Sequence, residues 1–316
     1  MTEMNAIRAH RRGGPEQLVH EKAPRPHSGP EEILVAVRAA SVTAGELGWD
    51  ATWTDSFDGS GRDRTPTIPS HEFSGVVADR GDAVSDWRRG DEVYGLIPFT
   101  RDGAAAEYVT LPAEMAAAKP PSLTHDQAAA VPLAALTAWQ ALVDHAHLRP
   151  GQRVLVHGGA GGVGSFVVQI AAALGADVAA TAGPDDLDFV RSLGAGTAID
   201  YRHQRFEDLL DPVDVVVDLV GGQTLARSWD VLKPGGVLVG IAAPPDPLEA
   251  ERRDARAVFF VVRPDRTGLE SITRLIEDGR LTPAVDRVLP LAEGRAAYEA
   301  LEREHRRGKV VLRVGD

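Results

Sequence analysis

Apolar and polar positions alternate with two different rhythms along this chain. Over the first 120 residues the rhythm is short. Residues 32–39 (EILVAVRA), 73–78 (FSGVVA), 91–94 and 106–111 read as brief strands separated by Gly, Pro and Asp, the pattern of a small β-rich unit. Between Thr43 and Pro69 the alternation lapses. That stretch carries Trp49, Trp53 and Phe57 among Gly and Asp residues and predicts a long loop with some helix, a length that is uncommon unless functional or disordered. From about residue 124 helical and extended patterns take turns. Helices are expected at 124–131, 133–145, 164–174, 186–193, 223–232 and 268–277. Strands are expected at 153–157, 177–181, 197–200, 213–220, 236–242 and 258–262. The run at 213–220 is almost unbroken in its apolar character, as in a strand covered on both faces. Such alternation predicts an α/β fold with a doubly wound parallel sheet. The tail returns to β character at 285–289 and 309–314, with a helix at 293–304 between them. It is expected to complete the first unit, so that residues 1–120 and 281–316 form one domain and 121–280 the other.

The sharpest local signal is VLVHGGAGGVGSFVVQIAAALGA at 154–176. Gly159-Ala160-Gly161-Gly162-Val163-Gly164 is a GxGxxG that follows a strand and opens a helix, the context that gives this string meaning. The first glycine is expected to permit the tight turn, the second to admit a pyrophosphate against the backbone, the third to let helix and strand approach. Free N–H groups at the helix start supply partial positive charge. The competing reading is a glycine-rich structural turn. The next strand ends in Thr181-Ala182-Gly183 without a carboxylate, which leaves room for a 2′-phosphate and favours NADPH, with NADH open. Asp185 and Asp186 follow at once and weigh against it. Of Tyr201, Arg202, His203 and Arg205, one or two are expected beside the adenosine ribose and its phosphate, Tyr201 first among them; the competing reading is a solvated loop.

Composition narrows the classes. The chain has 316 residues, enough for two domains, and a formal net charge of −12, which disfavours nucleic acid and anionic membranes as partners. It has no cysteine, hence no disulfide, thiolate metal site or Cys nucleophile. No apolar run reaches the roughly 20 residues of a membrane span. The opening MTEMNAIRAHRRGG shows no signal-peptide run, so a cytoplasmic location is expected by default.

Several segments together resemble a known family. GGPEQLVHEKAPRP, EEILVAVRAASV, GDEVYGL, GAAAEYV, AAAVPLAALTAWQAL, HGGAGGVG and GKVVL occur in the order found in zinc-independent medium-chain dehydrogenase/reductases of the quinone oxidoreductase-like kind. The resemblance implies a GroES-like catalytic domain joined to a Rossmann domain, an active site in the cleft between them, and a homodimer. Zinc-dependent members carry Cys, His-Glu and Cys at positions that match Ser41, His71-Glu72 and Leu133. Only His-Glu remains, and catalytic zinc needs three protein ligands, so no metal is expected. One departure concerns the cofactor: relatives with TASxRN after the second strand place a basic residue where this chain has Asp185.

The resemblance also implies a site. Thr43 stands where the superfamily places a hydroxyl or amide beside the nicotinamide, and is expected to hydrogen-bond the substrate; the competing reading is a loop threonine that caps backbone. His71 is expected either to donate a proton in the cleft or to be structural, paired with Glu72. Thr137, Ile241 and Phe260 join the glycine turn as expected cofactor contacts. Trp49, Trp53 and Phe99 are candidates for an aromatic wall of the substrate pocket, the alternative for the loop tryptophans being core packing, and Tyr94, in a strand, is a candidate for either core or pocket. The loop from Thr43 to Pro69 lacks the proton-donating tyrosine of some enoyl-thioester reductases. The implied activity is hydride transfer from NADPH to a quinone or other conjugated carbonyl. Alternatives are an NADPH-dependent alkene (enone) reductase of secondary metabolism, a protein that binds the dinucleotide without turnover, and, more remotely, a metal-dependent alcohol dehydrogenase.

Overall fold

The computed structural model describes residues 2–55, 60–303 and 306–315; Phe57 lies outside them. The strands, in chain order, are β1 (Glu3–Ala9), β2 (Leu18–Pro24), β3 (Glu32–Val42), β4 (Glu72–Arg80), β5 (Glu92–Leu96), β6 (Tyr108–Pro112), β7 (Ala116–Ala118), β8 (Arg153–His157), β9 (Asp177–Ala182), β10 (Thr197–Asp200), β11 (Val213–Asp218), β12 (Leu232–Gly240), β13 (Arg256–Phe259), β14 (Val285–Pro290) and β15 (Lys309–Arg313). The chain divides into two units, Met1–Leu133 with Arg263–Glu277 and Pro283–Asp316, and Ala134–Val262 with Asp278–Thr282.

The first unit is a mostly antiparallel sheet. β1 and β2 form a separate two-stranded ribbon, and seven strands run in the order β14-β15-β3-β4-β5-β7, with β6 also on β3. β15 pairs antiparallel with β3, Val310 opposite Val42 and Val311 opposite Ser41, so the tail does complete the N-terminal sheet. Apolar side chains from alternate positions, among them Ile33, Val35, Val37, Phe73, Val93 and Leu111, fill one core. Residues 121–133 and 263–277, expected with the parallel sheet, pack here instead. The reason is an apolar stripe on the helix Arg266–Glu277, where Leu269, Ile272, Leu275 and Ile276 are buried at helical spacing. The Tyr94 hydroxyl secures that helix by donating to the Leu269 carbonyl at 2.9 Å.

The second unit is the doubly wound sheet. Its six strands run in the order β10-β9-β8-β11-β12-β13, and every neighbouring pair is parallel. The path starts in the middle, moves out to β10, then crosses back to β11. The order therefore reverses between β8 and β11, and sheets of this kind bind ligands outside the carboxyl ends of their strands at such a point. Val215, Val216 and Val217 are all buried, which requires cover on both faces. Each such side chain contributes about 1.5–3 kcal/mol by leaving water. Among the described residues no helix is long and apolar enough to cross a membrane.

Candidate active site

At the switch point β8 runs into the glycine-rich turn and then the helix Gly164–Ala173. The tight turn falls one residue earlier than expected. Gly158, not Gly159, carries the left-handed backbone, with φ +77°, and the Gly161 N–H closes on its carbonyl at 3.1 Å. Gly159 serves close packing, since a Cβ there would lie 2.9 Å from the Ala180 Cβ. Gly164 behaves as expected: a Cβ would strike the Gly158 carbonyl oxygen, so only glycine lets the helix start this close to the strand. Ala160 is buried, while Gly161, Gly162 and Val163 are half-buried. No side chain caps the helix at Val163. Its first N–H groups and positive dipole end therefore suit an anionic group.

The strands beside this turn end in polar residues. Thr181 is buried, and its hydroxyl accepts from the Gly158 N–H at 3.2 Å, which ties β9 to the turn. Ala182 and Gly183 follow, buried and without a charge. Tyr201 is 59% exposed, and its ring edge lies 3.9 Å from where a Gly183 Cβ would stand. Asp185 is exposed; Asp186 is buried. His157 pairs in register with both Thr181 and Asp218. Burial, helped by the charge of Arg227, pushes the His157 imidazole down to about 3. Burial likewise raises the Asp218 carboxyl, against the N–H groups of Gly221 and Val220. Among the described residues His157 Nε2 and Asp218 Oδ2 are buried without a hydrogen-bond partner. Buried polar atoms without a partner are few in native proteins, and two on adjacent strand ends call for one. Further along, Ile241 is half-buried, its N–H donating to the Asp218 carbonyl at 2.8 Å. Phe260 stacks on the His145 ring at 4.4 Å, and Thr137 is buried in the helix Pro132–Trp139. These features fit a dinucleotide: an uncapped helix start, a cradle that side chains would fill, and a carboxylate-free end to β9.

In the first unit a buried carboxylate organises His71 and its neighbours. Glu46 Oε1 accepts from His71 Nδ1 at 2.8 Å and from the Ser70 N–H at 2.9 Å, and Oε2 accepts from the Tyr298 hydroxyl at 2.7 Å. Burial would raise the Glu46 carboxyl, but the bonds from His71, Tyr298 and the Ser70 N–H outweigh it and hold it below its usual value. Tyr298 is pushed well up by burial and by the charge of Glu46, and stays a phenol. Ser70 holds φ +70°, a left-handed conformation that costs a non-glycine residue about 1–2 kcal/mol, and the Glu46 bond helps to secure it. His71 Nε2 faces the Arg101 carbonyl at 3.0 Å. Both ring nitrogens are therefore engaged by protein oxygens. The side chain is 2% exposed and pairs with Glu46, not with Glu72 as the structural alternative supposed. This is the geometry of a brace rather than of a group facing a substrate.

Glu72 has a different partner. Its Oε1 lies 2.7 Å from Lys309 Nζ, and its Oε2 accepts from the Leu133 N–H at 2.9 Å. Burial raises the Glu72 carboxyl, while Lys309 and the Leu133 N–H oppose the shift. Lys309 Nζ also donates to Thr43 Oγ1 at 3.2 Å. Ser41 Oγ donates to the Val310 carbonyl at 3.2 Å. A zinc ion does not fit these residues. Leu133 has no ligand side chain, the Ser41 hydroxyl is shared between the Val310 carbonyl and Glu72, both His71 nitrogens are engaged, and an ammonium sits on Glu72. Catalytic zinc needs three protein ligands and an open position.

Of the expected pocket aromatics, Trp49 and Phe99 meet edge to face at 5.5 Å, and Phe99 lies 5.1 Å from the His71 ring. Trp49 keeps some exposure, whereas Trp53 is 2% exposed and donates its indole N–H to the Leu47 carbonyl. Trp53 and the fully buried Tyr94 are packing residues with their polar atoms already used, and neither presents a surface to a ligand. Sequence reasoning misses Glu46, Tyr298, Lys309 and Gly158. Gly158 has a legible signal, since it precedes the motif in HGGAGGVG. The others carry none, because a buried charge is defined by a partner far along the chain.

A nucleotide-binding doubly wound sheet, together with a GroES-type sheet carrying polar residues at the ends of its strands, defines a two-domain dehydrogenase or reductase. Residues 29–121 match the alcohol dehydrogenase GroES-like domain, and residues 193–312 match the zinc-binding dehydrogenase domain. A probable zinc-binding oxidoreductase, mitochondrial, of Arthroderma benhamiae is 35% identical over 92% of this chain and 91% of its own length. The NADPH-dependent alkenal/one oxidoreductase, chloroplastic, of Arabidopsis thaliana is 38% identical over 78% of this chain, and the match spans 64% of that protein. The quinone oxidoreductase from Coxiella burnetii superposes with a TM-score of 0.90 at 31% identity, covering 99% of this chain and 100% of that one. The chain belongs to the medium-chain dehydrogenase/reductase family and is an NAD(P)H-dependent oxidoreductase.

Proposed function

We propose that the protein reduces a conjugated carbonyl compound, a quinone or an α,β-unsaturated ketone, with NADPH and without zinc. The observation that carries this reading is the pairing of Lys309 with Glu72 and Thr43, which puts a fixed protein cation and a hydroxyl where a metal centre would need ligands. The bound reduced nicotinamide supplies the hydride. What remains for the protein is to bind, to orient and to offer a hydrogen bond to the oxygen on which charge develops.

The backbone from Gly159 to Gly164 and the start of the following helix take the pyrophosphate. Thr181, Ala182, Gly183 and Tyr201 take the adenosine side, and Thr137, Ile241 and Phe260 the nicotinamide side. Thr43 donates its hydroxyl to the acceptor oxygen. Trp49 and Phe99 offer an apolar face to a flat conjugated ring or chain. His71 holds Glu46, Ser70 and the Arg101 carbonyl in place and does not donate a proton. NADPH is preferred because β9 ends without a carboxylate, and the name of the Arabidopsis relative points the same way. The molecule works as a homodimer. Support comes from β13, which pairs only with β12 among the described strands and leaves Phe259 49% exposed beside an exposed Val261.

The test is cofactor oxidation at 340 nm by metal-stripped protein, with NADPH and NADH, across quinones, enones and simple aldehydes. Turnover of quinones or enones that survives a chelator, with NADPH ahead of NADH, is the expected result. Activity that appears only on adding zinc, or only with simple aldehydes, overturns the reading.

A further inference from the structure

We propose that Lys309 is a positioning residue that fixes the Thr43 hydroxyl as a hydrogen-bond donor to the substrate oxygen; this rests on the role given to Thr43 above. β15 lies antiparallel to β3, and Lys309 stands one residue beyond the Val310–Val42 pair, which brings it opposite Thr43. Its side chain reaches Glu72 at 2.7 Å and Thr43 Oγ1 at 3.2 Å. The residue is 5% exposed, while Thr43 is only half-buried.

An ammonium has donors and no acceptor. Toward Lys309 the Thr43 oxygen must therefore act as acceptor, and its single O–H must point elsewhere. Among the described residues Lys309 is the one side chain that bonds Thr43, so the hydroxyl hydrogen has no competing side-chain acceptor. A lone threonine hydroxyl would rotate among its wells. Here one lone pair is held, and the donor direction is set before a substrate arrives. The ammonium also makes the hydroxyl a stronger donor, because hydrogen bonds to an ionised group polarise the chain they belong to. Charge that builds on the substrate oxygen then meets an O–H backed by a cation. Glu72 completes the device. It compensates the buried ammonium, and the Leu133 N–H anchors it from the far side at 2.9 Å, so Lys309 has one place to be.

The experiment is a mutant cycle on the full-length protein, read by kcat and KM with an enone and NADPH, with cofactor affinity and melting temperature measured in parallel. Lys309→Met is made together with Glu72→Gln, so that no uncompensated carboxylate is left inside. Lys309→Gln with Glu72→Gln serves as the milder variant, since it keeps a neutral donor for Thr43, and it carries the test where the methionine pair does not fold. Losing a preorganised donor at an oxyanion costs about a hundredfold or more, and losing only its orientation costs less. The expected result is a fall in kcat of about tenfold in the methionine pair, a smaller fall in the glutamine pair, and unchanged cofactor affinity. Adding Thr43→Ala to either pair is expected to abolish the difference, because Lys309 acts only through Thr43. An equal loss from the Lys309 changes in the Thr43→Ala background, or wild-type kcat in both pairs, overturns the proposal. Wild-type kinetics in Thr43→Ala alone overturns the role of Thr43 itself, and the proposal with it.

Discussion

In the proposed function the residues around Glu46 hold the fold, and Thr43 meets the substrate. Glu46 accepts three hydrogen bonds in a fully buried site, so removing one of its partners leaves a buried acceptor short, a loss of about 1–3 kcal/mol. His71→Ala is therefore expected to lower the melting temperature by several degrees while kcat of the folded fraction changes little. A loss of turnover in fully folded His71→Ala protein would restore that side chain to catalysis. Thr43→Ala is expected to do the reverse, with stability kept and kcat reduced by about a hundredfold or more, as for a lost oxyanion donor. A third prediction concerns pH. The His157 imidazole is held at about 3 in the fold and lies near 6.5 in the unfolded chain. As pH falls below about 6.5 the unfolded state takes up a proton that the folded state refuses, so stability falls. Between pH 7.5 and 5.5 this amounts to roughly 1.4 kcal/mol. Melting curves of His157→Asn over that range are expected to lack this component; a decline identical to wild type contradicts the burial argument.

At the scale of elements, the structure rests on how closely β8, the glycine turn and the helix Gly164–Ala173 approach. Gly164→Ala places a methyl against the Gly158 carbonyl and must push the helix off the strand. It is expected to weaken dinucleotide binding more than tenfold, by calorimetry or fluorescence, and to lower the melting temperature as well. Unchanged affinity would mean that the turn is not the pyrophosphate cradle. This part of the molecule is legible in the amino-acid pattern alone. β8 and β10 match the expected strands 153–157 and 197–200 to the residue, because both are short and lie between turn residues, Gly151 and Gly158 for β8 and Gly194 and Gly196 ahead of β10, which leave no room for a helix. The pattern does not announce β1, β2 and β7. β7 is three alanines, which carry no period, and β1 and β2 mix charged with apolar residues on a half-exposed ribbon. The site divides in the same way. Glycines announce themselves because backbone geometry demands them locally. The Lys309–Glu72–Thr43 group joins residues 43, 72 and 309, and only the register of β15 against β3 brings them together.

In the proposed function each unit has its own part: the switch point of the parallel sheet takes the phosphates and nucleoside of the cofactor, and in the antiparallel sheet Thr43, held by Lys309, offers a hydroxyl. The free edge of β13 bears on assembly. A dimer is expected in sedimentation velocity, and Phe259→Glu is expected to shift it toward monomer; a monomeric wild type contradicts the proposed assembly. The central claim is conjugate reduction without a metal, and isotope transfer tests it most directly. Metal-stripped protein would be given an α,β-unsaturated ketone and NADPH carrying deuterium at the transferable C4 position, and the product read by NMR. The account predicts a saturated ketone with deuterium on the β-carbon and a solvent proton on the α-carbon. An allylic alcohol with deuterium on the carbinol carbon, formed only when zinc is restored, would contradict it.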